Sequence, residues 1–335
     1  MLGPVMVDVE GLALSDEDVE LLRHPAVGGV ILFARNYQSP AQVRELVTAI
    51  HGVRNPALLV AVDQEGGRIQ RFQEGFTRLP AARRAGERYD RDPAEGLALA
   101  EALGWMIGAE LRAVGVDFSF APVLDLDRGI SDVIGDRAFH AQPETVAQLA
   151  EACIRGLQRA GTIAVGKHFP GHGGVAADSH LAIPVDTRPF DEIAQADLIP
   201  FQRLAGALAG VMPAHVVYSQ AAPEAAGFSP FWLQEVLRGR LGFDGVVFSD
   251  DLNMEGARVA GGYLDSARAA LAAGCDMVLV CNNRPAAVEV VEGLGGRSDG
   301  ALSKRLERLH GAGPELELAD LRAAESWYAA AEALA

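Results

Sequence analysis

Eight short apolar runs punctuate the chain: Pro4–Asp8, Gly28–Phe33, Leu58–Asp63, Asp117–Ala121, Ile163–Lys167, Gly210–His215, Gly245–Ser249 and Asp276–Cys281. Most are nearly continuous in Val, Ile, Leu, Ala or Phe rather than alternating with polar residues, the pattern of strands covered on both faces. Between them apolar positions recur at three- and four-residue spacing over longer segments, among them Pro40–His51, Pro93–Val114, Pro143–Arg159 and Pro230–Leu241. Each of these opens on a proline, which fits the first turn of a helix, where its missing N–H would have no partner. Strand and helix alternating eight times predicts an α/β fold of the (β/α)8 TIM-barrel type, a parallel sheet closed inside a ring of helices. An open doubly wound sheet is the competing arrangement, but no Gly-x-Gly-x-x-Gly follows an early strand. No linker, repeat or low-complexity stretch divides the chain, so residues 1–335 read as a single barrel domain. The Ala-rich, charged segment from about residue 298 reads as helices packed on its outside.

Composition narrows the partners. With 22% charged and 49% hydrophobic residues the chain reads as an ordinary folded protein. Its 45 acidic against 29 basic residues give a net charge of -16. That repels phosphate backbones and anionic lipid heads, so neither nucleic acid nor a membrane surface is expected as a partner, while a neutral small ligand is unaffected. No run approaches the ~18 consecutive apolar residues of a membrane span, and the first residues lack a basic stretch ahead of an apolar one. The three cysteines, Cys153, Cys275 and Cys281, are odd in number and lie in apolar surroundings, so buried thiols are expected rather than a disulfide framework. A cytoplasmic monomer without cofactor or metal is the expectation.

Polar residues concentrate where the apolar runs end. The third run leads into Asp63-Gln64-Glu65-Gly66-Gly67-Arg68, with Arg71 beyond, and the fourth into Asp125, Asp127 and Gly135-Asp136-Arg137. The fifth ends in Lys167-His168-Phe169-Pro170-Gly171-His172-Gly173, the sixth in His215 and the seventh in Ser249-Asp250-Asp251. In a (β/α)8 barrel these ends share one mouth. A lone Asp there, such as Asp251, can simply cap the next helix. Five ionisable strand ends in one place are harder to explain structurally, because unpaired buried charge is costly, and a ligand pocket accounts for them better. In the glycine-rich loop after the fifth run, Asp178 stands two residues before His180. A carboxylate there can orient an imidazole and stabilise its protonated form, which makes His180 a candidate general acid/base. Asp250 is then a candidate nucleophile at the mouth.

These segments together resemble the family 3 glycoside hydrolases, and within them the β-N-acetylhexosaminidases of peptidoglycan recycling. The resemblance rests on Lys167 to Gly173, Asp178-Ser179-His180 and Phe248-Ser249-Asp250-Asp251-Leu252. It is supported by Val62 to Gly67, Ile134 to Phe139 and Ala273 to Met277, and covers roughly the first 290 residues. It implies a retaining β-N-acetylglucosaminidase that releases terminal N-acetylglucosamine from an anhydro-muropeptide. Asp250 would be the nucleophile that forms a covalent glycosyl-enzyme, and His180 the acid/base with Asp178 as its dyad partner. Asp63, Arg71, Arg137, Lys167 and His168 would hold the sugar hydroxyls, and His215 would line the same pocket. Ala138 and Pro213 depart from residues common in the family, at positions outside the acid/base and nucleophile. A histidine acid/base, neutral in the second step, would not repel an anionic acceptor, so phosphate is a possible rival to water. A metal-dependent hydrolase could use the same histidines, but such barrels place a His-x-His pair at the first strand, where this chain has Val7-Asp8-Val9. A non-catalytic sugar-binding barrel is the other alternative, and only an assay separates it.

Overall fold

Each of the eight apolar runs overlaps a strand. The computed structural model describes residues 1–175, 184–254, 257, 261–295, 300–312 and 316–335. The strands are β1 Val5–Val7, β2 Val27–Leu32, β3 Leu59–Val62, β4 Phe118–Ser119, β5 Val165–Phe169, β6 Gly210–Pro213, β7 Val246–Asp251 and β8 Met277–Val280. They are followed in turn by α1 Asp16–Arg23, α2 Pro40–His51, α3 Pro93–Ala113, α4 Pro143–Arg159, α5 Leu198–Leu204, α6 Phe231–Arg240, α7 Tyr263–Ala273 and α8 Arg284–Leu294. The sheet order is β4-β3-β2-β1-β8-β7-β6-β5, every pair parallel. Pro122, which has no N–H to give, follows the short β4. The chain just beyond β4 closes the barrel: the Val165 N–H donates to the Ala121 carbonyl at 2.8 Å and the Leu124 N–H to the Lys167 carbonyl at 2.7 Å.

The helices start where the sequence provides caps. Ser39 accepts from the Gln42 N–H ahead of Pro40, and Asp92 accepts from the Ala94 N–H ahead of Pro93. One expected helix differs in winding: the turns of α6 are wider than α-helical, and the Leu241 N–H reaches back five residues to the Val236 carbonyl. Helices α3 and α4 pack backbone to backbone. A Cβ on Gly104 would stand 2.0 Å from the Cys153 carbonyl oxygen, and one on Gly156 would stand 2.1 Å from that of Glu101.

Inside the barrel Phe118, Phe120 and Phe248 meet across its axis, with ring centroids 5.2 to 5.8 Å apart. They form an apolar plug with the mouth above it. After α8 come α9 Gly300–Glu307, α10 Leu318–Ala323 and α11 Glu325–Leu334, of which α11 packs against α3. Residues 308–312, after α9, run across the opposite, N-terminal end of the barrel, where the Ala312 N–H donates to the Gly161 carbonyl at 2.7 Å. No described helix is long and apolar enough to cross a membrane.

Candidate active site

A cavity of about 470 Å3 opens at the C-terminal ends of the strands. Its walls come from almost every strand or the residue beyond it: Ile31 from β2 and Phe33 after it, Asp63 and Glu65 after β3, Phe120 after β4, Lys167 and His168 from β5, Met212 from β6, Asp250 and Asp251 from β7, and Leu279 from β8 with Cys281 after it. Asp63 and Glu65 share a face because the chain is still extended there, with alternate side chains on the same side. Lys167 and His168 are consecutive, yet both line the cavity. The peptide bond between them is cis, and the register of β5 against β6 shifts between Lys167 and Phe169.

One wall is a network of paired charges. Lys167 Nζ lies 2.7 Å from both Asp63 Oδ1 and Glu65 Oε1. Arg137 clamps Glu65 with two bonds, Nε to Oε2 and Nη2 to Oε1, each 2.9 Å. Arg71 Nη2 is 3.5 Å from Asp63 Oδ2, and its Nε is buried with no hydrogen-bond partner among the described residues. Burial alone would raise the Glu65 carboxyl, but Arg137 and Lys167 hold it well below the usual carboxylate range. Lys167 is desolvated, yet Asp63 and Glu65 keep it above its ordinary value and therefore charged. Carboxylates and cations fixed in this way present directional acceptors and donors, suited to a ligand rich in hydroxyls.

His168 is oriented from below. Its Nδ1 lies 2.7 Å from Asp125 Oδ2, and the same carboxylate accepts the His172 backbone N–H at 2.6 Å and that of His168 at 3.2 Å. Asp125 is fully buried, which would raise its carboxyl, but the His168 charge and these bonds lower it. Across the cavity, Asp250 Oδ1 accepts the Asp251 N–H at 2.8 Å. Desolvation pushes the Asp250 carboxyl up, but His215, His168, this N–H and Lys167 outweigh it and hold it below its ordinary value. Asp250 is thus an ionised carboxylate facing the cavity, the state a nucleophile needs. Asp251 differs: burial, with Asp250 and Asp8 nearby, raises it to about 7, although its Oδ1 accepts the Asn253 and Cys281 N–H groups.

The residues expected from the sequence divide into three groups. Asp63, Arg71, Arg137, Lys167, His168 and Asp250 line the one cavity. Asp178 and His180 lie outside the described residues. His215 is corrected: it does not line the cavity. It is fully buried behind β7, its Nε2 3.1 Å from the Asp251 carbonyl and its ring stacked on Phe228 at 5.6 Å. It touches the backbone of Asp250 and Asp251 rather than the cavity, and its field helps to hold the Asp250 carboxyl down. Two contributors had no assigned role, Glu65 and Asp125. The signal for Glu65 is its two-residue spacing from Asp63, which puts both on one face. For Asp125 the signal is a charge that closes the apolar stretch Phe120 to Leu124 after β4.

Comparison with known proteins agrees with this geometry. The sequence profile of the glycosyl hydrolase family 3 N-terminal domain matches residues 4–310. A β-hexosaminidase of Thioalkalivibrio sulfidiphilus is 60% identical over 311 residues, 92% of this chain and 89% of that protein. The native structure of NagZ from Neisseria gonorrhoeae superposes with a TM-score of 0.94 at 44% identity, covering 99% of this chain and 97% of the other. The same TM-score, identity and coverage hold for that protein in complex with N-trifluoroacetyl-D-glucosamine.

Proposed function

Because this chain belongs to glycosyl hydrolase family 3, we propose that it is a retaining β-N-acetylglucosaminidase, cleaving terminal non-reducing N-acetylglucosamine from β-linked glycans. The observation that carries this reading is the pairing inside one sugar-sized cavity of an ionised Asp250 with the fixed network of Asp63, Glu65, Arg71, Arg137 and Lys167. The name of the Thioalkalivibrio relative and the glucosamine derivative held by the Neisseria neighbour point the same way.

In this mechanism Asp250 attacks the anomeric carbon while His180, supported by Asp178, protonates the departing oxygen. His180 then takes a proton from water, which releases the sugar with its configuration retained. Asp63, Arg71, Arg137, Lys167 and His168 hold the hydroxyls. Asp125, through His168 and His172, keeps the strand-five side of the cavity in place. The substrate we propose is an N-acetylglucosaminyl anhydro-muropeptide of peptidoglycan recycling, met by a cytoplasmic monomer.

The test is hydrolysis of a chromogenic β-N-acetylglucosaminide beside the matching β-glucoside, by the wild-type chain and by Asp250→Ala. Turnover of the first sugar only, falling by roughly 10⁴-fold or more in the variant, is expected. Cleavage of neither sugar, or a variant as active as the wild type, would sink the proposal.

A further inference from the structure

At the end of the barrel opposite the cavity, three side chains converge that no step of the glycosidase reading uses. Asp117, the residue before β4, is buried. His51 closes α2, and His310 lies on the segment that crosses the barrel end after α9. His51 Nε2 is 3.3 Å from Asp117 Oδ2, and His310 Nδ1 is 3.0 Å from Asp117 Oδ1. The three sets of ligand atoms lie within 4.8 Å of one another. Both imidazoles are about a quarter exposed (28% and 26%), so the cluster is open to solvent on one side.

We propose that His51, Asp117 and His310 bind a divalent transition-metal ion of the zinc class, which pins the C-terminal segment to the barrel. Ligands about 2.0 to 2.2 Å from a tetrahedral ion stand ~3.3 Å from one another, close to the two distances from Asp117 to the imidazoles. The groups around the trio are also those of a metal site. Each Asp117 oxygen already accepts a backbone N–H, Oδ2 from Val60 at 2.8 Å and Oδ1 from Gly311 at 3.1 Å. Those bonds hold the carboxylate still while leaving it turned toward the two rings. Imidazole nitrogens with one carboxylate suit zinc and its neighbours rather than calcium or magnesium, and water completes the coordination. The site stands independently of the sugar chemistry, because the phenylalanine plug lies between the two ends of the barrel.

Calorimetric titration of the metal-free full chain with Zn²⁺ tests the proposal, together with His51→Gln and His310→Gln. One ion per chain is expected, with affinity at least ten-fold weaker in each variant, and Zn²⁺ should raise the melting temperature of the wild type alone. If His310→Gln fails to fold, His51→Gln decides, since that ring sits partly exposed at a helix end. A wild type that takes up no zinc overturns the site, as does zinc bound with unchanged affinity by the variants, which places the ion elsewhere.

Discussion

At the end of β7 two neighbouring carboxylates titrate in opposite directions. Asp250 faces His168, Lys167 and the field of His215 and stays ionised, whereas Asp251 is buried beside two other carboxylates and rises to about 7. A raised folded-state value means that the native chain binds a proton the unfolded chain has already lost. The stability this contributes is complete below about pH 4 and disappears as pH climbs through about 7. Asp251→Asn keeps the acceptor for Asn253 and Cys281 but cannot ionise. Its melting temperature, relative to wild type, should therefore grow between about pH 4 and pH 7. A difference that stays flat across that window would show that Asp251 ionises normally. Glu65 carries the opposite risk, since its removal strands Arg137 and leaves Lys167 with Asp63 alone. Glu65→Ala should lose about 3 to 5 kcal/mol in chemical denaturation, and an effect below 1 kcal/mol would contradict the pairing. Charges at strand ends were legible because an Asp, Lys or His closing an apolar run needs an explanation. Their partners were not: Glu65 meets Arg137 across 72 residues of sequence, and Asp125 meets His168 across 43. Spacing alone carries no information about such encounters. His215 was misplaced for a related reason. Its strand was right, but the face it presents depends on how β6 lies against β7.

Among the elements, the packing of α3 on α4 depends on what two glycines leave out. A methyl at position 104 has no room, since it would meet the Cys153 carbonyl at 2.0 Å, and backbone cannot yield as a side-chain tip can. Gly104→Ala would raise helix propensity, yet it should destabilise the chain by about 1 to 3 kcal/mol, because the helices must move apart. A denaturation midpoint at or above that of wild type would refute the close approach. In the sequence Gly104 reads only as a weak helix former inside a good helix, which is why the contact was not legible. The strands were easier. Continuous apolar runs of five or six residues placed them to within a residue or two, while the proline that opens α2 marked its start. The wide winding of α6 has no counterpart in its spacing of apolar residues.

For the molecule as a whole, closure followed from counting eight alternations, and a net charge of -16 sets the field a ligand crosses on the way in. An anionic substrate approaches against that field, and salt screens it. For a β-N-acetylglucosaminide with a carboxylate on its leaving group, kcat/KM should rise between low and physiological ionic strength. It should stay flat for a neutral analogue of the same leaving ability. Equal salt profiles for both would mean that the field at the mouth is not that of the whole chain.

The seam between β1 and β8 also sets a timetable. Synthesis delivers Met277–Val280 roughly 270 residues after Val5–Val7, and β1 takes β8 as one of its two neighbours. At ribosomal speeds of 5 to 20 residues per second, that edge of the nascent sheet waits about 15 to 55 seconds for its partner. During that interval it is an open, fully apolar edge of the kind that invites pairing with other chains. In the cell, yield of the folded enzyme therefore depends on how well this one edge is shielded while the rest of the chain is being made.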